Sequence, residues 1–372
     1  MSRKINKAYK YRLVPNEEQL DKLNRMVGCS RFVYNHFLQL NKDQYEKDQT
    51  FVFTHEMVTM LPKLKEEYPW LSEAFSQSLQ TTLRNLGGAF QSFFNGKAKF
   101  PTFHKKGRHD SFTCPQKFRV EEEQCIVFIP KAGEVKIRVN RKFRHKKHIK
   151  GEIRSIAISR TCGLWYVSIL TERETEDKPV SHKKSVGIDV GIKEFATLSN
   201  GKSIENPKYY REYEAQLARV RRGFSRKKKH SKNWYKQLRK VHRIHNKIAN
   251  SRKDFQHKES TKIVNHNDII CLEDLNIRGM VKNHNLAKSI SDAGWGTFTD
   301  MLDYKAEWKH GTTVYVPRFY PSSQICSKCG SRQIMPLKLR TYICEDCGAI
   351  IDRDYNASIN IEQKGLEILH AS

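Results

Sequence analysis

Basic or polar residues alternate with apolar ones over residues 4–13 (Ile5, Ala8, Tyr9, Tyr11, Leu13), and Pro15-Asn16 closes the run. That pattern predicts an opening strand. Asn16 with Gln19 has the form of a capping box, after which Leu20, Leu23, Val27, Phe32 and Phe37 recur at helical spacing. A second stripe, Leu79, Leu83, Leu86, Phe90, Phe93 and Phe94, predicts a helix ending at Asn95-Gly96, with its aromatics in a core. Beyond the basic segment 97–108 the period changes to two. Strands are predicted at 125–129, 134–139, 154–160 and 164–171, the last two joined by Thr161-Cys162-Gly163. They make a small antiparallel sheet or barrel. The opening strand has no partner nearby in sequence, so it is expected to join this sheet, leaving the helices as an insertion.

Residues 171–184 are polar, contain Pro179 and predict a linker. A second domain opens with a strand at 186–190, followed by a hairpin of 195–198 and 202–204 around Asn200-Gly201. Residues 211–258 are read as helical and charged. An apolar strand at 269–272, a helix at 295–308 and a strand at 313–316 come next. A cysteine-paired knuckle and a last helix at 354–364, stopped by Gly365, complete the pattern.

Composition narrows the class. The 372 residues are enough for two or three units, and 38% hydrophobic against 29% charged residues exclude a disordered chain. A formal charge of +28 implies a large polyanionic partner and exceeds what an acidic small molecule requires. Half of that charge lies in 211–258, where 17 Lys and Arg face three Asp and Glu. No run is apolar enough to span a membrane, and no apolar core follows the basic N-terminus. The expectation is a cytoplasmic, nucleoid-associated protein with no membrane partner.

Three acids stand at predicted element ends. Strand alternation puts Asp189 on the face of Gly187 and Gly191, where missing side chains leave room for a metal or phosphate. Glu273, beside Asp274, ends an otherwise apolar strand, and a buried carboxylate there needs a cation or hydrogen-bond donors. Asp354 opens the last helix, where Asp352 can equally be a plain cap. Each is weak by itself. A strand with Asp, a hairpin, a distant strand with Glu and a late helix with Asp is, however, the element order of RNase H-like nucleases. Three converging carboxylates hold hard cations, Mg²⁺ or Mn²⁺, and so point to phosphodiester hydrolysis. Asp274 and Asp352 are expected to matter much less.

Cys326-x-x-Cys329 and Cys344-x-x-Cys347, 14 residues apart, have the spacing of a zinc ribbon, and four thiolates around Zn²⁺ make a structural site. Cys29, Cys114, Cys125, Cys162 and Cys271 lack such pairing and read as ordinary buried thiols.

The blocks GIDVGIKEFAT (187–197), CLEDLNIRGM (271–280), LAKSISDAGWGTF (286–298), CSKCG (326–330) and CEDCGAIIDRDYNASINI (344–361) resemble the signatures of the TnpB family. YKYRLVPNEEQ (9–19) and KFPTFHKK (99–106) resemble its N-terminal blocks. Ser358 stands where Ala is common, and Ala349-Ile350-Ile351 is more apolar than usual; neither change touches a metal ligand. The resemblance implies an α+β multidomain fold. A wedge domain, an oligonucleotide-binding-like β-barrel, would take residues 1–14 and 110–178, with a helical recognition insertion at 15–109. A RuvC-like, RNase H-like nuclease would take 183–318 and 350–372, interrupted by a zinc ribbon target-nucleic-acid-binding module at 319–349. Its catalytic triad maps onto Asp189, Glu273 and Asp354.

The activity so implied is RNA-guided cleavage of double-stranded DNA beside a short target-adjacent motif. The guide would be an RNA from the transposon end, with one protomer per RNA. Candidate nucleic-acid contacts are Arg219, Arg221, Arg222, Arg226, Lys227, Lys228 and Lys229, with Lys105 and Lys106 in the first half. Tyr209, Tyr210, Trp234 and Tyr235 flank the basic helices and are candidates for stacking on nucleotides, although packing is the commoner role. Two alternatives remain. One is a nuclease-inactive RNA-guided repressor, against which the complete acid triad argues. The other is a transposase acting without RNA, against which the lack of a helix-turn-helix pattern in the N-terminal half argues.

Overall fold

A computed structural model describes residues 2–108, 110–140, 148–176, 184–336 and 339–371 and divides the chain into two units, 1–176 and 177–372. In the first, β1 (Ser2–Val14) precedes α1 (Glu17–Asp48), α2 (Thr54–Glu67), a 3-10 turn (Pro69–Glu73) and α3 (Ser76–Phe94). Then come β2 (Ser111–Cys114), β3 (Arg119–Glu121), β4 (Ile126–Ile129), β5 (Gly133–Arg138), β6 (Glu152–Thr161) and β7 (Leu164–Glu176). The predicted capping box is present: Asn16 accepts from the Gln19 N–H and Gln19 accepts from the Asn16 N–H. The seven strands form one antiparallel sheet in the order β2-β6-β7-β1-β5-β4-β3. The opening strand does join the later ones, pairing with β7 over most of its length and with β5 at its end. Buried Asp110 accepts from Arg31 of α1 and Arg160 of β6 and thereby fastens the helices to the sheet. Because β7 continues to Glu176, the first part of the predicted linker is strand; residues 177–183 lie outside the described residues.

The second unit opens with β8 (Ser185–Val190), β9 (Glu194–Leu198) and β10 (Ser203–Glu205). α4 (Tyr209–Ser225) and α5 (Lys232–His266) follow, then β11 (Ile269–Glu273), α6 (Ile277–Met280), α7 (His284–Ala293), α8 (Trp295–Trp308) and β12 (Thr312–Val316). β13 (Thr341–Ile343), β14 (Ile350–Asp352) and α9 (Arg353–His370) complete it. The sheet runs β10-β9-β8-β11-β12, with the first hairpin antiparallel and β11 and β12 parallel to β8. One of its faces packs Val186, Ile188, Ile270 and Leu272 against α5 and α8. The other carries Ile269, Cys271 and Val314 against Ile361 of α9.

One reading is sharpened and one needs correction. The basic stretch 211–258 is helical as expected, and it resolves into a pair of helices broken at 226–231 and packed through Leu217, Val241, Ile244 and Ile248. The last helix does not stop at Gly365 but runs to His370. A Cβ at Gly365 would overlap the Cys271 sulfur, so this glycine serves close helix–sheet packing and not termination.

Candidate active site and cysteine cluster

The β8/β11 register pairs Ile188 with Leu272, which sets the next residues, Asp189 and Glu273, side by side at the carboxyl ends of two parallel strands. Ligand sites of open α/β sheets gather at such ends. Alternation places both acids on the face of Gly187 and Cys271, the face covered by α9. Gly187 makes that approach possible. A Cβ there would overlap the Ser358 carbonyl and stand 2.6 Å from the Glu362 nitrogen. The room expected beside Gly187 for a metal or phosphate is therefore filled by α9, and Gly191 sits in the tight turn back to Glu194. What the glycine admits is the helix whose first turn carries Asp354.

Asp189 is buried, and its pKa is pushed well above the ordinary 3.8 first by that burial and then by the charges of Glu273 and Asp354. Burial also raises Glu273, against a 2.5 Å hydrogen bond from Ser322 Oγ that favours its charged form. Asp354 is held by cations: Arg353 Nη2 lies 3.0 Å and Arg340 Nη1 3.1 Å from its oxygens. Three acids in mutual repulsion, two of them desolvated, suit a divalent cation. Among the described residues, however, the group of potential ligands that closes to within 4.8 Å is the four cysteines, and the three carboxylates stand further apart.

Asp352 does cap α9, accepting from the N–H groups of Asp354 and Tyr355 at 3.0 Å. It also adds to the negative field on Asp189, so it is no neutral bystander. Asp274 ion-pairs with Arg318 at an exposed position.

Sequence reasoning missed the polar fastening of this site. Asn356 and Asn360, four apart on α9 and fully buried, both donate at 2.7 Å to the Ile325 carbonyl, and Asn360 also holds the Ser322 carbonyl. Asn356 further accepts from the Ser327 N–H at 2.9 Å. They tie the segment bearing Ser322 and Cys326 to the helix bearing Asp354. The signal was an i, i+4 pair of asparagines amid the apolar positions of a helix.

Cys326 Sγ lies 3.7 Å from Cys347 Sγ, and Cys329 Sγ 3.5 Å from Cys344 Sγ, with all four reduced. A tetrahedron with ~2.3 Å metal–sulfur bonds has edges of about 3.8 Å, so the cluster fits zinc. Within the cluster, Ser331, whose hydroxyl is 3.2 Å away, and then the Cys347 N–H pull the Cys344 thiol down to about 6. Cys347, despite the Ala349 N–H, is pushed up by its hydrogen bonds with Cys329 and Cys344. Cys271, outside the cluster, is pushed up to about 12 by burial.

Arg219, Arg221, Arg222, Arg226, Lys227, Lys228 and Lys229 are all exposed around the α4–α5 turn, and among the described residues none pairs with a carboxylate. Lys105 and Lys106 are exposed in the other unit; Lys106 lines a cavity with Arg31 and Arg160. Of the aromatic candidates, Tyr209 and Tyr210 pack on the α4–α5 core and Trp234 packs at a tilt against Phe224, leaving Tyr235 as the most open.

An acidic strand-end site, a four-cysteine cluster and a cationic helix pair define a polyanion-processing α/β protein. Known proteins agree with that class. The family model described as "Probable transposase", OrfB of IS605, matches residues 168–284. A Cas12f1-like TNB domain model matches 295–361. A protein of Streptomyces pristinaespiralis is 38% identical over 98% of this chain and 91% of its own length. InsQ of Escherichia coli K12 is 33% identical over 97% and 93%. Both are named, provisionally, as RNA-guided DNA endonucleases. This chain belongs to the TnpB family. A solved Cas12f1–sgRNA–target DNA complex aligns with 96% of this chain and 99% of that one, at 16% identity and a TM-score of 0.35, too loose a likeness to carry an argument. A model described as a helix-turn-helix domain matches residues 1–50, where the sequence pattern showed none. The structure there holds a strand and a single 32-residue helix.

Proposed function

We propose that this chain is an RNA-guided DNA endonuclease. Its second unit would be a RuvC-like, RNase H-like nuclease whose Asp189, Glu273 and Asp354 hold Mg²⁺ or Mn²⁺. The observation that carries the site is the side-by-side placement of Asp189 and Glu273 at parallel strand ends, with α9 bringing Asp354 close enough to raise the Asp189 pKa. A divalent cation bound there supplies Lewis-acid activation of water and neutralisation of the leaving oxygen. The chain's own part is to present the carboxylates from rigid strands and a glycine-seated helix, and to orient Glu273 through Ser322.

The names of the full-length relatives support the guided activity, and the charge of +28 suits a structured RNA together with a DNA–RNA heteroduplex. The guide would come from the transposon end and the target would be duplex DNA beside a short motif. The first unit would act as the wedge and recognition domains, and the cysteine cluster would hold Zn²⁺ as a brace. Among the described residues no helix is long and apolar enough to cross a membrane.

One plasmid challenged with protein prepared with and without its transposon-end RNA tests the guided reading. Site-specific double-strand cutting is expected only with RNA; equal cutting in both preparations defeats RNA guidance, and joined DNA ends would indicate a transposase. Asp189→Ala, Glu273→Ala and Asp354→Ala are each expected to abolish cutting in Mg²⁺ while leaving RNA and DNA retention largely intact. Near-normal cutting by any one of them removes that residue from the site.

A further inference from the structure

Arg340 touches two things at once. Its Nη1 sits 3.1 Å from one oxygen of Asp354 and 3.5 Å from the other. It also lines a 420 Å³ cavity with Lys193, Lys208 and Arg211. The acid on the cavity wall, Asp292, is already engaged: both its oxygens accept from the Tyr210 N–H at 3.0 Å, and Arg252 donates to it at 3.0 Å. Lys193 and Lys208 are exposed and, among the described residues, pair with no carboxylate. Four cations thus converge on a space whose acid is neutralised, a few residues beyond Asp189 along the β8–β9 turn. That is the chemistry of a phosphate seat.

Arg340 is carried by the segment between the two cysteine pairs and is fixed at its backbone. Its carbonyl accepts from the Arg353 N–H at 2.7 Å, and Arg353 Nη1 donates to the Leu339 carbonyl at 3.1 Å. Beyond that anchor the side chain is half exposed. Its guanidinium takes the Oδ2 side of the carboxylate that a divalent cation would need, Arg353 holding the Oδ1 side, and further cations on one carboxylate repel each other.

We propose that Arg340 is a positioning residue that exchanges anions. It holds Asp354 in the free chain and turns to a backbone phosphate of the DNA strand when one enters the Lys193–Lys208–Arg211 cavity. Phosphate arrival and metal entry at Asp354 are then linked, each promoting the other. The inference rests on the proposed acid site, and metal binding tests it without any cleavage step.

Mn²⁺ affinity is measured by calorimetry on the zinc-loaded full chain without RNA, with and without a short single-stranded DNA, taking Asp189→Ala as the blank. For the wild type the DNA is expected to tighten Mn²⁺ binding. For Arg340→Gln binding is expected to be roughly three- to tenfold tighter without DNA, with the DNA effect largely lost, the size of a modest ion pair. Lys193→Gln with Lys208→Gln is the second variant: affinity without DNA unchanged, DNA effect reduced. If wild type shows no binding above the blank, the acid-site reading itself fails. If that binding is present but Arg340→Gln binds Mn²⁺ equally or more weakly, Arg340 is merely structural and the inference is overturned. If Arg340→Gln loses zinc or its melting transition, the cavity double variant decides, and an undiminished DNA effect there also overturns it.

Discussion

Burial and three neighbouring carboxylates, Glu273, Asp354 and Asp352, act in the same direction on Asp189, and burial acts likewise on Glu273. Groups whose pKa is raised in the folded chain favour its protonated form. Their contribution to stability is fully present below the ordinary values of 3.8 and 4.5 and is lost as pH rises through the raised ones. A cation that neutralises the site should restore it. Mg²⁺ is accordingly expected to raise the melting temperature more at about pH 8 than at about pH 5, and Asp189→Asn to raise it without Mg²⁺ while shrinking the Mg²⁺ effect. Calorimetric melting across that range checks both, and a pH-independent Mg²⁺ effect counts against a charged site. Asp352 and Asp274, alike in sequence as acidic neighbours, should now part company. Asp352→Ala removes the cap of α9 at ~1 kcal/mol and loosens Asp354, so cutting should fall, whereas Asp274→Ala loses only an exposed ion pair and should cut almost normally.

Helix α9 is the element on which the site depends, and Gly187 is its seat. Gly187→Ala is expected to cost ~1–3 kcal/mol of stability and, by shifting Asp354, to lower cutting by ~10²-fold, which a melting curve and a single-turnover assay would measure together. Buried Lys305 of α8 gives a second element-scale test. It donates to the His257 carbonyl, Ser260 Oγ and Thr261 Oγ1 at 2.7–2.8 Å, and burial pulls it down to about 8. The unfolded chain therefore keeps this proton longer, and stability should gain from about pH 8 toward 10.5, a component that should vanish in Lys305→Met. Period-two strands, the β1 partnership, α8 to the residue and the cysteine pairing were legible because alternation, apolar stripes and ligand spacing are local signals. The break between α4 and α5 was not, since a run of Arg and Lys has no periodicity to interrupt. Gly365 misled because a glycine that ends a helix and one that lets it pack closely look identical until the partner sheet is placed. Asn356 and Asn360 showed only their i, i+4 spacing, and what they hold stayed hidden for the same reason: their value lies in carbonyls some 30 positions away.

At the scale of the molecule, charge and zinc make separate predictions. Replacing Arg221, Arg222, Lys227 and Lys228 together with Gln should flatten the salt dependence of nucleic-acid retention, by up to about 3.6 in the log–log slope if each meets a duplex phosphate. The melting temperature should stay unchanged, because these residues are exposed. An unaltered slope would assign the α4–α5 turn to solvent. Elemental analysis is expected to find about one zinc per chain, and Cys344→Ser to lose it along with stability in the second unit. The position of β1 inside the first sheet also bears on how the chain is made. β5 and β7 flank this strand, yet about 150 residues separate its end from the start of β7. At ~5–20 residues per second, a nascent β1 waits roughly 8–30 seconds for β7. β5 is made sooner but covers only Arg12 to Val14, so most of the strand stays unpaired long enough to meet another copy on the same message. Lys4, Lys7 and Lys10 space positive charge along it, the device that keeps exposed strand edges from pairing. Translation rate and the lysines of one strand thus decide together how much newly made chain escapes aggregation.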